Sequence, residues 1–304
     1  PEFMKDEPWD NIDPTVFIDD DGQAYLYWGN THLYYARLKD NMTELDSEIH
    51  KVDINNMPGT FTEAPWLHKY QDKYYLTFAM NYPEELAYAV SDSPEGPWEY
   101  QGLIMDVLPD SGTSHQAVLE FEEQWYLVYH TAALPTGGNY RRSVSIEHLE
   151  YNEDGSIQKI TPTASGIHYN AKQLQAFSNK EFLTYQGDGA AVAAGEKENY
   201  SQLWHLQSLR GEKNTVSFQP EASPGFYLVS ENGKLTVSKH DGSDSFIANA
   251  TFKQVEGLSN SEWSSYHLAD KPEVYLVLHE GSLKLSKPSS NEEKEAATFR
   301  PSAP

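Results

Sequence analysis

The chain has 304 residues, enough for about two domains, with hydrophobic residues at 38% and charged residues at 22%, a soluble globular balance. Forty-six acids against 22 bases leave a net charge of −24, which repels phosphate backbones and anionic lipid. Nucleic acid and membrane are therefore not expected partners, and no apolar run approaches the roughly 20 residues a membrane helix needs; a neutral polysaccharide is indifferent to such a surface.

Without cysteine, disulfides are excluded and the redox compartment is not readable. Pro1, Glu2 and Phe3 ahead of Met4 read as a cloning remnant, and no signal peptide follows Met4. Location is left open between extracellular and cytoplasmic. Aromatics reach 13%, with 20 Tyr and 7 Trp, a composition that suits pleated strands and the flat platforms of sugar clefts.

Three segments of the first half share one plan. The first runs from Asp13 through Val16 and Ile18 to the acidic turn Asp19–Gly22, then Ala24–Tyr27, then Leu33–Ala36. The second runs from Glu63 through Trp66 and His68 to Tyr74–Thr77 and Leu86–Val90, and the third from His115 to Trp125–Val128 and Ser143–Ile146. Tyr25, Tyr75 and Tyr126 recur every 50 to 51 residues. Short alternating strands joined by acidic or glycine turns at that period predict propeller blades. Helical periodicity is nowhere sustained.

Near residue 168 a second repeat begins. Leu183, Leu228 and Leu276 are 45 and 48 residues apart, and the closing aromatics Trp204, Phe252 and Phe299 follow at 48 and 47. Three β-rich repeats of this length predict a β-trefoil. The expected organisation is all-β: a partial propeller over residues 5–167, then a trefoil over 168–304.

Asp13, Glu63 and His115 each open the first strand of a repeat, 50 and 52 residues apart. Innermost strands of successive blades converge on the propeller axis, so three polar side chains at one repeat position predict one site. Taken singly, Asp13 before Pro14 is equally a turn-initiating residue, Glu63 one more surface acid and His115 a core histidine.

The segments WDNIDPTVFIDDDGQAYLYWG, FTEAPWLHKYQDKYYLTFA, AVSDSPEGPWEYQG and YRRSVSIEHLEYNEDGSIQKITPTASGI are similar to the later blades of glycoside hydrolase family 43 arabinofuranosidases and β-xylosidases. The resemblance covers roughly residues 6–167. It implies a five-bladed propeller, with about three blades in this chain, that hydrolyses glycosidic bonds with inversion. By the match to TEAP, Glu63 resembles the general acid. By the match to IDP, Asp13 resembles the aspartate that orients this acid and adjusts its proton affinity. Arg142 resembles the arginine that contacts substrate, and Trp66 is counted with it. His115 resembles the axial histidine near a bound calcium, so calcium is the cofactor the resemblance suggests.

The family's general base lies on the first blade, ahead of its IDP segment, and is not found in this chain. An unclosed ring leaves apolar blade faces open near Ile12–Ile18 and Val144–Leu149, so a chain carrying the missing blades, or a second copy, is an expected partner. The second half resembles the arabinose-binding trefoil of carbohydrate-binding family 42, best in GFYLVSENGKLTVSKHDGSDSFIANATFKQV. The family's sugar-reading His and Asp are replaced by Ser230 and Asn249 in the second repeat and by Leu278 and Ala296 in the third. The expected activity is an arabinofuranosidase or β-xylosidase acting on arabinoxylan- or arabinan-type polysaccharide. The alternative is a catalytically silent carbohydrate-binding or scaffold protein.

Overall fold

A computed structural model describes residues 8–168, 170–185, 187, 191–194 and 202–304, so the expected domain start at residue 5 lies outside the described residues. Strand β1 (Thr15–Ile18) turns at Asp19–Gly22 into β2 (Ala24–Trp28). Gly22 takes φ +87° there, and its N–H donates to the Asp19 carbonyl at 2.9 Å. With β3 (Leu33–Leu38) and β4 (His50–Val52) these strands make a four-stranded antiparallel blade in sequence order.

The second blade contains β5 (Ile54–Asn55), β6 (Phe61–Tyr70), β7 (Lys73–Met80), β8 (Glu85–Ser91) and β9 (Trp98–Met105), ordered β5-β9-β8-β7-β6. The third contains β10 (Gln116–Phe121), β11 (Gln124–Thr131) and β12 (Ser143–His148). The first strand of each repeat, β1, β6 or β10, is thus the terminal strand of its sheet.

The central blade is apolar on both faces because β7 alternates between two cores. Tyr74, Leu76, Phe78 and Met80 pack with Tyr25, Tyr27 and Leu33 of the first blade. Tyr75 packs the other way, with Val118, Leu127 and Tyr129 of the third. The outer blades differ. Val16 and Ile18 on β1 are 46% and 59% exposed, and Leu119, Phe121 and Val144 of the third blade 39%, 60% and 73%. Strands apolar on both sides normally lie between two layers, so these faces lack a covering layer among the described residues. The expected open stretch shortens at one end, because Leu149 is 1% exposed and belongs to the core between blades two and three.

A compact second unit takes up Pro162–Pro304 and Ala133–Gly137. It is built from β13 (Lys172–Ala176), β14 (Phe182–Tyr185), β15 (Ala191–Ala194), β16 (Leu203–Gln207), β17 (Thr215–Pro220), β18 (Phe226–Glu231) and β19 (Lys234–Lys239). There follow β20 (Phe252–Glu256), β21 (Ser264–Leu268), β22 (Lys271–His279), β23 (Ser282–Ser286) and β24 (Phe299–Ser302). All but the β18–β19 hairpin join one ten-stranded sheet, in which β14 also pairs with β13 and β21 with β24.

The repeat residues Leu183, Leu228 and Leu276 meet Trp204, Phe252 and Phe299 in a single core, the packing that the threefold repeat called for. Two helices, α1 (Asp244–Asn249) and α2 (Asn291–Ala296), precede the last aromatics of repeats two and three. Each is six residues, too short to show a helical period, but each carries a serine cap. Ser290 and Glu293 complete a capping box on α2.

His68 on β6 is buried against Tyr75 at 5.3 Å, and its Nε2 meets the Tyr151 hydroxyl at 2.7 Å. Burial lowers its pKa from 6.5 to about 3. Between those values the unfolded chain binds the proton and the folded chain does not, so His68 removes stability as pH falls below 6.5. From pH 7 to 5 the loss should be about 2 kcal/mol. In His68→Gln the urea midpoint of the propeller unit should change less over that interval; an equal change in both proteins would contradict this account.

Candidate active site

The connection from β2 to β3, Gly29–His32, is tied to the protein at two places. Asp10, 1% exposed, accepts from the Tyr34 hydroxyl at 3.0 Å and pairs with His32 Nδ1 at 2.9 Å. The Thr31 N–H donates to the Thr62 carbonyl at 2.7 Å. So held, Asn30 donates from Nδ2 to Glu63 Oε2 at 2.7 Å. Asn30 gave no sequence signal, because a WGN turn reads as an ordinary loop.

Glu63 lies where β6 is irregular, with register shifts against β7 on both sides of it. The next residue, Ala64, takes φ +60°, and its N–H donates to Asp13 Oδ2 at 3.2 Å. Asp13 itself has φ +56° although a residue before proline favours extended backbone. Two left-handed non-glycine residues joined by one hydrogen bond cost about 1–3 kcal/mol each, and such strain gathers at functional sites.

His115 stands immediately before β10, with Nδ1 3.8 Å from Asp13 Oδ2. The adjoining Gln116 donates to the Ala64 carbonyl at 2.9 Å and to Thr77 Oγ1 at 3.0 Å. Asp13, the Glu63–Ala64 peptide and His115 therefore come together from three blades.

Two further groups belong here that the sequence did not single out. Glu84, 3% exposed, follows the Tyr82–Pro83 bond; its Oε2 accepts from the Ser114 N–H at 2.6 Å. Burial, then the charges of Glu63 and Asp13, push its pKa up to about 7, against the Ser114 amide and Arg142. His130 on β11 is 9% exposed, and among the described residues neither ring nitrogen has a hydrogen-bond partner. Burial first, then Arg142 and His115, lower its pKa to about 4.

Arg142 is exposed, and its Nε donates to the Asn139 carbonyl at 2.8 Å. Trp66 is committed between blades: its Nε1 donates to the Val118 carbonyl at 2.8 Å and its ring packs on the core of blades two and three. Among the described residues no three His, Asp or Glu side chains are grouped to hold a metal. Calcium takes 6–8 oxygen ligands, whereas Asp13 and His115 offer one carboxylate and one imidazole. These residues do not by themselves make a calcium site.

In glycoside hydrolases one carboxylic acid protonates the leaving oxygen while a second carboxylate acts on the other face of the sugar. The chain belongs to glycosyl hydrolases family 43, whose sequence profile matches residues 3–157. Residues 176–301 match the alpha-L-arabinofuranosidase B (ABFB) domain.

A xylosidase/arabinosidase of Bacteroides ovatus is 33% identical over 188 residues, covering 49% of this chain and 57% of that protein. An arabinoxylan arabinofuranohydrolase of Bacillus subtilis (strain 168) is 30% identical over 237 residues, covering 65% and 45%. The crystal structure of a GH43_1 enzyme from Xanthomonas citri aligns with TM-score 0.47 at 30% identity, over 49% of this chain and 56% of that one. The chain spans about half the length of the curated relatives it matches.

In the second unit, Ser230 and Asn249 line one open pocket of about 420 Å³ with Asn232, Ala248, Asp270 and Lys271. Asp270 is paired in a fork with Arg210, at 2.8 and 3.1 Å, which lowers its pKa and occupies its oxygens. In the third repeat Leu278 is buried in the core. We expect weak or absent arabinose binding by this unit. A charge-assisted hydrogen bond is worth about 1.5–3 kcal/mol, and Ser230 and Asn249 offer no charged acceptor. Calorimetry with arabinose oligosaccharides showing tight binding would contradict this.

Proposed function

We propose that this chain carries the acid side of an inverting glycoside hydrolase acting on arabinose- or xylose-containing plant polysaccharide. The observation that supports it best is the Asp13–Ala64 hydrogen bond. It sets a carboxylate beside the Glu63 backbone while Asn30 holds one oxygen of the Glu63 side chain. In this reading Glu63 delivers its proton from Oε1 to the glycosidic oxygen as the bond to the anomeric carbon breaks. Asp13 fixes the Glu63 backbone and supplies negative charge next to His115. Arg142, whose Nε is held by the Asn139 carbonyl, turns its remaining N–H groups to sugar hydroxyls. An inverting reaction also needs a carboxylate that activates water on the opposite face of the sugar. The family's place for it precedes the IDP segment, and we assign it to no residue of this chain.

The exposed apolar faces at Val16, Ile18, Phe121 and Val144 support association with further blades, or with a second copy of the chain. Each buried Å² of apolar surface contributes about 25 cal/mol, so covering two blade faces is strongly favoured. Light scattering should show the purified chain associated; a well-folded monomer by near-UV circular dichroism would overturn this.

Glu63→Gln should lower hydrolysis of natural arabinosides and xylosides about 10²–10⁴-fold, and less on nitrophenyl glycosides, whose leaving group needs little protonation. Equal activity of variant and parent on natural oligosaccharides would remove Glu63 from the role. No activity from the parent, even when associated, would favour the silent binding reading.

A further inference from the structure

The turn between β7 and β8, residues 81–84, is fastened at both ends to segments that carry site residues. At the first end Asn81 pairs with the chain leading into Glu63. Its N–H donates to the Thr60 carbonyl at 2.9 Å, its Oδ1 accepts the Thr60 N–H at 3.1 Å, and its carbonyl accepts from Thr62 Oγ1 at 2.6 Å. At the second end the Glu84 N–H donates to the Gly112 carbonyl at 3.0 Å, and the Glu84 side chain accepts from the Ser114 N–H, just ahead of His115. Between these two fastenings Tyr82 is 69% exposed.

The Tyr82 ring has a defined place as well. A Cβ on Gly112 would lie 3.1 Å from the Tyr82 hydroxyl and 3.4 Å from Asn139 Nδ2, so the phenol reaches a glycine that leaves room for it. The Gly112 N–H donates to Asn139 Oδ1 at 2.8 Å, and the Asn139 carbonyl accepts from Arg142 Nε at 2.8 Å. The side chain thus starts beside the segment that leads into Glu63 and ends at the residue that anchors Arg142. Single exposed aromatics are ordinary on a protein surface. One fixed between a general acid and a sugar-contacting arginine is placed for a ligand, and a ring with two torsions on a held backbone loses little entropy in meeting it.

We propose that Tyr82 is a substrate-binding residue whose ring face is the platform for a neutral pyranose of the polysaccharide, the sugar on the leaving-group side of the bond that Glu63 protonates. The side assigned to it rests on the hydrolase reading above. A general acid stands beside the leaving oxygen, and Tyr82 is tied through Asn81 to the segment that leads into Glu63, so the departing sugar is the one that meets the ring. A pyranose offers a flat face of C–H groups that covers an aromatic ring, while its hydroxyls turn outward to polar groups such as the Tyr82 hydroxyl and Asn139 Nδ2. The chain's net charge of −24 selects against an acidic sugar. Binding energy gained here, away from the bond that breaks, can be spent on aligning that bond with Glu63.

The test is fluorine NMR of the full chain labelled with 3-fluorotyrosine, with xylotriose as the probe and the Tyr82 resonance assigned by its loss in Tyr82→Phe. Xylotriose should move that resonance. By calorimetry, Tyr82→Ala should bind xylotriose about 2- to 10-fold more weakly than the parent, the range expected of one aromatic contact. Tyr82→Phe, which keeps the ring, should stay close to the parent. Each variant is checked for folding by near-UV circular dichroism and for association by light scattering; should Tyr82→Ala misfold, the resonance of the parent still decides. Neither readout depends on turnover. Binding through Tyr82 by an inert chain would count against the hydrolase reading alone, and an active chain whose Tyr82 ignores xylotriose against this proposal alone. A Tyr82 resonance unmoved by millimolar xylotriose, equal affinity in Tyr82→Ala and the parent, or a loss of association in Tyr82→Ala that marks the ring as a protein contact, overturns it.

Discussion

The site hangs on the hydrogen bond from the Ala64 N–H to Asp13 Oδ2. That bond links the first blade to the second at the point where both chains adopt left-handed backbone. Neither conformation is favoured locally, so each persists only because the other blade holds it. Around this link the other bonds fall into order. Gln116 ties the third blade to the same residue through the Ala64 carbonyl, and Asn30 steadies the Glu63 side chain. Three blades thus meet at one alanine, with the Asp13 carboxylate held by a backbone N–H and the Glu63 carboxylate by the Asn30 side chain.

The same crowding explains the electrostatics. Acids brought to one place by blade geometry repel each other, and the Arg142 guanidinium acts against that repulsion at Glu84. Burial, at 3% exposure, is the main cause that pushes the pKa of Glu84 up to about 7. His130 shows the opposite response to the same cause, since burial and neighbouring positive charge both disfavour its protonated form.

The second unit gathers its repeat residues in one core, and the polar residues of its open pocket lie outside that core. Leucines and aromatics at equivalent repeat places share one interior, so substituting them carries the cavity cost of a packed core. A pocket wall carries no such cost. Ser230 and Asn249 line one pocket, and the Asp270 carboxylate that lines it with them is held by Arg210.

The sequence by itself determined the blade count, the strand at the head of each blade, and the meeting of Asp13, Glu63 and His115. Repeat spacing is covalent, and equal spacing must return each residue to an equivalent strand. It also determined the six core residues that close the second unit, for the same reason. The tertiary structure alone decided what comes from connections. Asn30 and Glu84 reach the site because turns are pinned by Asp10 and Ser114, far from them in sequence. In NYPEEL, Glu84 and Glu85 look alike; only the packing buries the first and leaves the second accessible. Trp66 donates its indole N–H to the Val118 carbonyl of the third blade, a partner that only the packing of blades supplies. Local pattern fixes which face a strand side chain takes, but which neighbour that face meets is settled by packing.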